Sequence, residues 1–221
     1  MNPRWKILAP ALVILFPVVF WLILTRGHNN FKTLPLVGPY EVTSSGDTIH
    51  HTIPPFEFTN QEGKIISDKN VDGQIYVANF FFANCQTVCP EMNGQVHRVQ
   101  EALKDVKDIR FLSFTVDPEN DSVEALSAYA EKMHADNSKW WFLTGQKDSI
   151  YRLAREGFLV PASLGTEAND FFHSQDLILI DDKKRMRGIY DGTIPAEVDT
   201  LIDEIKVLIK EIQESRARSQ D

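Results

Sequence analysis

The sequence contains only two cysteines, Cys85 and Cys89, which lie four positions apart in the segment FFFANCQTVCPEMN. Three intervening residues place both sulfur atoms on one side of a single turn, where they can close a disulfide or hold one metal ion. Two cysteines are too few for the four-ligand structural zinc or iron–sulfur sites that proteins build from thiolates. Copper accepts two thiolates together with one imidazole. The ligand count therefore favours copper over zinc.

The position of Cys89 suggests how its thiol could become reactive. Cys89 immediately precedes Pro90, and proline is favoured at the first position of a helix. This pattern predicts that Cys89 is the N-cap residue of a helix, where free amides and the positive end of the helix dipole stabilise an anion. We therefore expect a lowered pKa for the Cys89 thiol, as in other reactive or metal-binding cysteines.

A third metal ligand would have to come from a histidine. The sequence has six: His28, His50, His51, His97, His134 and His173. His97 and His134 lie on polar faces of predicted helices, and His50 and His51 lie in a predicted linker. A solvated side chain is the favoured interpretation for these four. His173 lies just before a predicted strand at 177–180, and a loop entering a central strand can reach the sheet edge at which the Cys85 loop opens. His173 is therefore the candidate ligand, with an ordinary loop histidine as the alternative.

The chain outside this site divides by composition into an apolar segment, a linker and an acidic domain. The net charge is −8 over 221 residues, a poor match for the phosphates of nucleic acid. A tether rich in proline, glycine and polar residues is predicted at 25–52, and a polar tail at 214–221. Strand-like and helix-like patterns alternate over 53–213, which predicts an α/β domain with a central mixed sheet.

Hydrophobic periodicity assigns the elements of this domain. Strands are predicted at 56–59, 64–66, 74–82, 109–116, 139–143, 177–180 and 187–190. Helices are predicted at 90–104, 122–133, 147–157 and 195–212. The run at 74–82, QIYVANFFF, is a mostly apolar run of strand length, which is typical of a strand buried on both faces. Ser122 is the expected N-cap of its helix.

Residues 7–24 read ILAPALVILFPVVFWLIL and carry no charge. A helix of this length spans about 27 Å, close to the roughly 30 Å hydrocarbon core of a bilayer. Arg4 and Lys6 precede the segment and only Arg26 follows it closely, so the positive-inside rule favours residues 1–6 in the cytoplasm. We expect a single transmembrane anchor in a bacterial inner or plasma membrane, with the domain on the periplasmic or extracytoplasmic side. A cleaved signal peptide is the alternative.

Five motifs together resemble the Sco (SenC-like) family of copper proteins, and they cover nearly all of the chain from Pro54 to Ile212. In order they are IPPFEFTNQEGK at 53–64, C-x-x-x-C-P at 85–90, FTVDPENDS at 114–122, FLTG at 142–145 and FFHSQDLILID at 171–181. The resemblance implies a thioredoxin-like fold and copper, as Cu(I) or Cu(II), bound by Cys85, Cys89 and His173.

The resemblance also implies a role in assembling cytochrome c oxidase. Members of the family deliver copper to the binuclear copper centre of the second oxidase subunit, or reduce its cysteines. The expected partners are that subunit, other copper chaperones and thiol reductants. The chain is therefore expected to be a copper metallochaperone and not an enzyme with turnover on a small substrate.

Two features leave alternatives open. Many members of the family carry a proline or an acidic residue between the cysteines, whereas this chain has Gln86-Thr87-Val88, so copper transfer and thiol reduction both remain possible main roles. As a thiol–disulfide oxidoreductase, the protein would use the same cysteine pair to attack a disulfide in a partner. Asp117 either faces the metal or a partner from outside the ligand sphere, or belongs to a turn that enters a helix.

Overall fold

The computed structural model describes residues 15–16, 33–160 and 174–219. Among the first 32 residues it describes only Leu15 and Phe16, which are helical and exposed. The rest of the predicted membrane helix at 7–24 lies outside the described residues, as does His173. Within the described ranges no helix is both long enough and apolar enough to cross a membrane.

A mixed sheet of seven strands forms the centre of the domain, in the order β4-β3-β7-β6-β5-β8-β9. A separate hairpin pairs β1 with β2. The strands are β1 (Tyr40–Val42), β2 (Thr48–His50), β3 (Glu57–Asn60), β4 (Ile65–Ser67), β5 (Ile75–Phe81), β6 (Ile109–Thr115), β7 (Trp140–Thr144), β8 (Asp176–Ile180) and β9 (Met186–Asp191). The central strand β5 runs parallel to β6 and antiparallel to β8. The predicted α/β class with a central mixed sheet is thus confirmed.

The helices cover both faces of this sheet. They are α1 (Val88–Ala102), α2 (Val123–Lys132), α3 (Lys147–Arg152) and α4 (Pro195–Arg218), with a 3₁₀ helix at Asp68–Val71 and a π-helix at Leu153–Gly157. Alternate residues of β5 enter two separate hydrophobic clusters: Val77 packs with α1, α2 and α4, whereas Ala78 packs with α3 and the π-helix. Because side chains alternate across a strand, a strand buried on both faces is mostly apolar, as the predicted strand at 74–82 is. The buried polar residue of β5, Asn79, is hydrogen-bonded to Asn93 and Ser113.

The predicted elements of the domain all occur, with ends shifted by a few residues. Ser122 caps α2 as predicted, since its side chain accepts a hydrogen bond from the N–H of Ala125. The last helix continues to Arg218 and so includes part of the predicted polar tail. The predicted helix at 147–157 is instead α3 followed by a π-helix.

The segment predicted as a tether at 25–52 is partly packed onto the domain. Leu34 is buried, and the Arg187 guanidinium donates to the carbonyl oxygens of Leu34 (2.7 Å) and Pro35 (3.1 Å). Val37 forms a β-bridge at the edge of the sheet. These contacts come from residues about 150 positions away, so the local composition of the segment gives no sign of them.

A buried ion-pair cluster holds this end of the domain together. Arg187, only 2% exposed, contacts Asp181 (3.1 Å) and Glu211 (2.8 Å). The Asp181 carboxylate also accepts the N–H groups of Lys183 and Arg185 in the turn between β8 and β9. One guanidinium therefore connects this turn, helix α4 and the N-terminal segment.

Replacing Arg187 by alanine is expected to lower the free energy of unfolding by about 3 kcal/mol, because it leaves the Asp181 carboxylate buried with less compensation. Urea denaturation followed by circular dichroism measures the loss. Lys206→Ala removes an exposed ion pair with Asp203 and is the matched control, with an expected change below about 0.5 kcal/mol. Equal unfolding midpoints for the two variants would contradict the role assigned to Arg187.

Candidate functional site

The cysteine pair lies in the connection between the central strand and the first helix. All seven residues of β5 are buried, and the chain leaves the carboxyl end of this strand at Phe82. The N–H of Cys85 donates to the carbonyl oxygen of Phe82 (3.2 Å). Helix α1 begins at Val88, so Cys89 lies in its first turn. Residues at the carboxyl end of a central strand are a common location for binding sites in α/β proteins.

Both cysteines are free thiols and nearly buried, with 7% of Cys85 and 6% of Cys89 exposed. The backbone N–H of Cys89 donates to the sulfur of Cys85 (3.4 Å). The N-cap residue of α1 is Thr87, two residues before the predicted position. The helix can begin earlier because Pro90 still falls in the first turn, where an N–H group has no partner within the helix. The amide at the helix start is consequently directed at Cys85.

The two sulfurs differ in their acidity. Burial opposes ionisation of Cys85, but hydrogen bonds from Cys89 and Thr87 outweigh it and bring the pKa of Cys85 below the usual thiol value. Burial raises the pKa of Cys89 to about 12, and the hydrogen bond with Cys85 and the charges of Cys85 and Asp121 also raise it. The predicted lowering of the Cys89 pKa is therefore wrong. The helix amide stabilises the preceding cysteine instead.

Asp117 is buried in the turn that leads from β6 to α2. Its carboxylate oxygens accept hydrogen bonds from the side-chain amide of Asn120 at 3.1 and 2.9 Å. Its carbonyl oxygen accepts the N–H groups of Asn120 and Asp121. These contacts agree with the interpretation of Asp117 as a turn residue.

Asp121 is a site residue that the sequence analysis missed. It is only 1% exposed, and one carboxylate oxygen accepts the N–H of Ala83 (3.0 Å) and the hydroxyl of Thr115. Ala83 lies two residues before Cys85, so Asp121 holds the loop that carries this cysteine. The only signal in the sequence was a second aspartate in the motif DPENDS, and nothing in that pattern indicates its burial.

A cavity of about 280 Å³ adjoins Cys89. It is lined by Phe80, Phe81, Phe82, Val88, Cys89, Ser174 and Gln175. Since β8 runs antiparallel to β5, Ser174 and Gln175 enter the sheet at the edge where the Cys85 loop leaves it. Among the described residues, no three or more His, Cys, Asp or Glu side chains form a group that could hold a metal ion. His173, the predicted third ligand, directly precedes this cavity-lining segment.

The fold and the cysteine pair at the end of β5 define an α/β protein of a kind consistent with the thioredoxin-like class. A family model described as SCO1/SenC matches residues 45–210. The chain belongs to the SCO1/SenC family. It is 31% identical over 162 residues to a SCO1 protein homolog of Bacillus subtilis, covering 72% of this chain and 84% of the relative.

Solved structures agree with this family assignment. BsSco, described as a member of the Sco family of cytochrome c oxidase assembly proteins with a disulfide switch, is 31% identical, with 71% of this chain and 92% of that chain covered and a TM-score of 0.63. ScoI of Arabidopsis thaliana, solved with copper bound, is 24% identical, with 69% and 97% covered and a TM-score of 0.58. The second similarity supports the fold.

The difference in acidity predicts selective alkylation of the reduced protein. At about pH 8 we expect iodoacetamide to modify Cys85 at least about tenfold faster than Cys89, because the thiolate is the nucleophile. As the pH rises, Cys85 reaches its full rate first, whereas the rate of Cys89 keeps rising toward its pKa of about 12. Peptide mass spectrometry over time measures both rates, and the urea-unfolded chain is the control. Equal rates in the folded protein would contradict this assignment.

Proposed function

We propose that this protein binds one copper ion, as Cu(I) or Cu(II), through Cys85, Cys89 and His173, and helps mature the binuclear copper centre of cytochrome c oxidase. The observation that carries the proposal is the pair of free thiols in one turn, with the Cys85 sulfur 3.4 Å from the Cys89 nitrogen. Membership of the SCO1/SenC family supports the role in oxidase assembly.

The donor set suits copper as a transferable cargo. Two thiolates and an imidazole are ligands that copper accepts. The thiolate of Cys85 is already favoured by its hydrogen bonds, and Cys89 loses its proton when the metal binds, because metal-coordinating thiols are deprotonated. Transfer then proceeds by ligand exchange, in which an incoming thiolate of the second oxidase subunit displaces one cysteine.

The direction of β8 supports His173 as the third ligand. Ser174 lines the same cavity as Cys89, and consecutive Cα atoms are about 3.8 Å apart. His173, adjacent to Ser174 in the sequence, is therefore the histidine that we propose as the third ligand. An imidazole there would complete a three-coordinate site with the two sulfurs.

Anaerobic copper titration of the reduced full-length protein in detergent tests this ligand set. We expect one equivalent of tightly bound copper, and a loss of affinity of at least about a hundredfold in Cys85→Ser, Cys89→Ser and His173→Ala, because each removes a direct ligand. His134→Ala changes an exposed histidine elsewhere and is the matched control. Unchanged copper affinity in His173→Ala would exclude this histidine from the site.

A thiol–disulfide oxidoreductase is the second candidate, favoured by the free thiols and by the hydrogen bonds that lower the pKa of Cys85. The Cys85 thiolate would attack a partner disulfide to form a mixed disulfide, and Cys89 would displace the partner. The products are the Cys85–Cys89 disulfide and a partner dithiol, a transfer of two electrons. Burial raises the pKa of Cys89, so Cys89 has to lose a proton before it can displace the partner, whereas a bound copper ion itself drives the loss of that proton. A dedicated thiol reductant would have to regenerate the pair in an oxidising compartment.

We further propose that residues 7–24 anchor the protein in the membrane and that the domain faces the periplasmic or extracytoplasmic side. The support is the uncharged apolar stretch and the basic residues before it. We expect the full chain to sediment with membranes and to resist alkaline carbonate extraction, and a variant lacking 7–24 to be released.

Alkaline phosphatase fused after Asp221 should be active, because it would lie outside the cytoplasm. Mass spectrometry of the purified protein supplies the control for processing. A mature chain that begins after residue 24 would show a cleaved signal peptide in place of the anchor.

A further inference from the structure

Asp121 places a carboxylate against the backbone of the cysteine loop. One of its oxygens accepts both the N–H of Ala83 and the hydroxyl of Thr115. It thereby connects the segment two residues before Cys85 to the end of β6. Val116 reinforces the same junction, since its N–H donates to the carbonyl oxygen of Phe81 (2.8 Å).

The environment of this carboxylate has no compensating positive charge within the part of the chain that the structure describes. Asp121 takes part in none of the ion pairs there, and its second carboxylate oxygen is buried without a hydrogen-bond partner. Burial raises the pKa of the Asp121 carboxyl, and the hydrogen bonds from Thr115 and Ala83 oppose that rise. When the carboxyl is ionised, its charge is the smallest of the causes that raise the pKa of Cys89. A buried charge is weakly screened, so it influences its neighbours more strongly than a surface charge does.

We propose that Asp121 is a positioning residue that fixes the loop bearing Cys85 and also holds a negative charge beside the cysteine pair, where it favours bound Cu(II) over bound Cu(I). The second half rests on the proposed function, because it requires copper at the cysteines. The first half concerns the protein without metal.

The charges of the site give the direction of the effect. Cu(II) with two thiolates and a neutral imidazole has a net charge of zero, and adding one electron to form Cu(I) makes it −1. That electron is added next to the Asp121 carboxylate, and repulsion between like charges disfavours the reduced state. Neutralising Asp121 should therefore strengthen Cu(I) binding relative to Cu(II) binding.

Three variants separate the charge from the hydrogen bonds. Asp121→Asn keeps the shape of the side chain and an oxygen that can accept the N–H of Ala83, but removes the charge. Thr115→Val keeps the charge and removes one hydrogen bond. Asp136→Asn removes a carboxylate that caps a turn through Ser138, and it is the matched control for loss of one negative charge elsewhere.

Competition with Cu(I) and Cu(II) chelators, with ascorbate as the reductant for the Cu(I) series, measures both affinities. We expect the ratio of Cu(I) to Cu(II) affinity to rise about tenfold in Asp121→Asn, and to stay within about twofold of wild type in Thr115→Val and Asp136→Asn. A ratio in Asp121→Asn equal to that of Asp136→Asn would overturn the electrostatic half of the proposal.

Amide hydrogen exchange of the metal-free protein tests the positioning half independently. We expect the Ala83 amide to exchange about tenfold faster in Asp121→Ala than in wild type, because it loses its acceptor, and to remain protected in Asp121→Asn. Unchanged exchange in Asp121→Ala would overturn the positioning role.

If wild type binds no copper, the proposed function and the electrostatic half fail together, while this measurement still decides the positioning role. If Asp121→Ala does not fold, protection of Ala83 in Asp121→Asn and its loss in Asp121→Leu decide the same point.

Discussion

The site depends on the burial of β5 on both faces. All seven residues of this strand are buried, and its ladders with β6 and β8 fix it on both edges. A strand held in this way leaves its final residues little freedom, so the loop from Phe82 to the start of α1 begins from a fixed point. The contact of Asp121 with Ala83 and the amide of Cys89 directed at Cys85 then determine the rest of the loop. The two sulfurs are thus positioned mainly by backbone hydrogen bonds.

The unequal acidity of the sulfurs follows from the same geometry. The helix amide acts on Cys85, whereas Cys89 lies within the first turn of the helix, against the apolar cavity. The hydrogen bonds to Cys85 therefore favour its thiolate, whereas Cys89 ionises only when another interaction offsets the cost of its burial. A metal ion supplies that compensation directly, as a positive charge on the sulfur. A mixed disulfide at Cys85 only removes the charge of the Cys85 thiolate, which is one of the smaller causes of the raised Cys89 pKa. This asymmetry is the physical reason for ranking copper binding above thiol exchange.

Sequence patterns predicted those features that depend on neighbouring residues. Alternation and apolar runs located the strands, and Ser122 identified the start of α2. The start of α1 was misplaced because a proline is tolerated anywhere in the first turn of a helix, so Pro90 fixes that start only within a turn. Asp121 and Arg187 were missed because their roles depend on partners far away in the sequence, on Ala83 and Leu34 respectively.

Because β8 runs antiparallel to β5, the parts of the proposed copper site come from segments that are far apart in the sequence. The rest of helix α1, helices α2 and α3, and strands β6 and β7 lie between Cys89 and β8 in the sequence, and the folded sheet brings Ser174 and Gln175 to the cavity that Cys89 lines. A nascent or translocating chain offers two thiols without the third group that the proposed site requires. Metal loading would therefore follow folding, and an immature chain would hold copper too weakly to retain it.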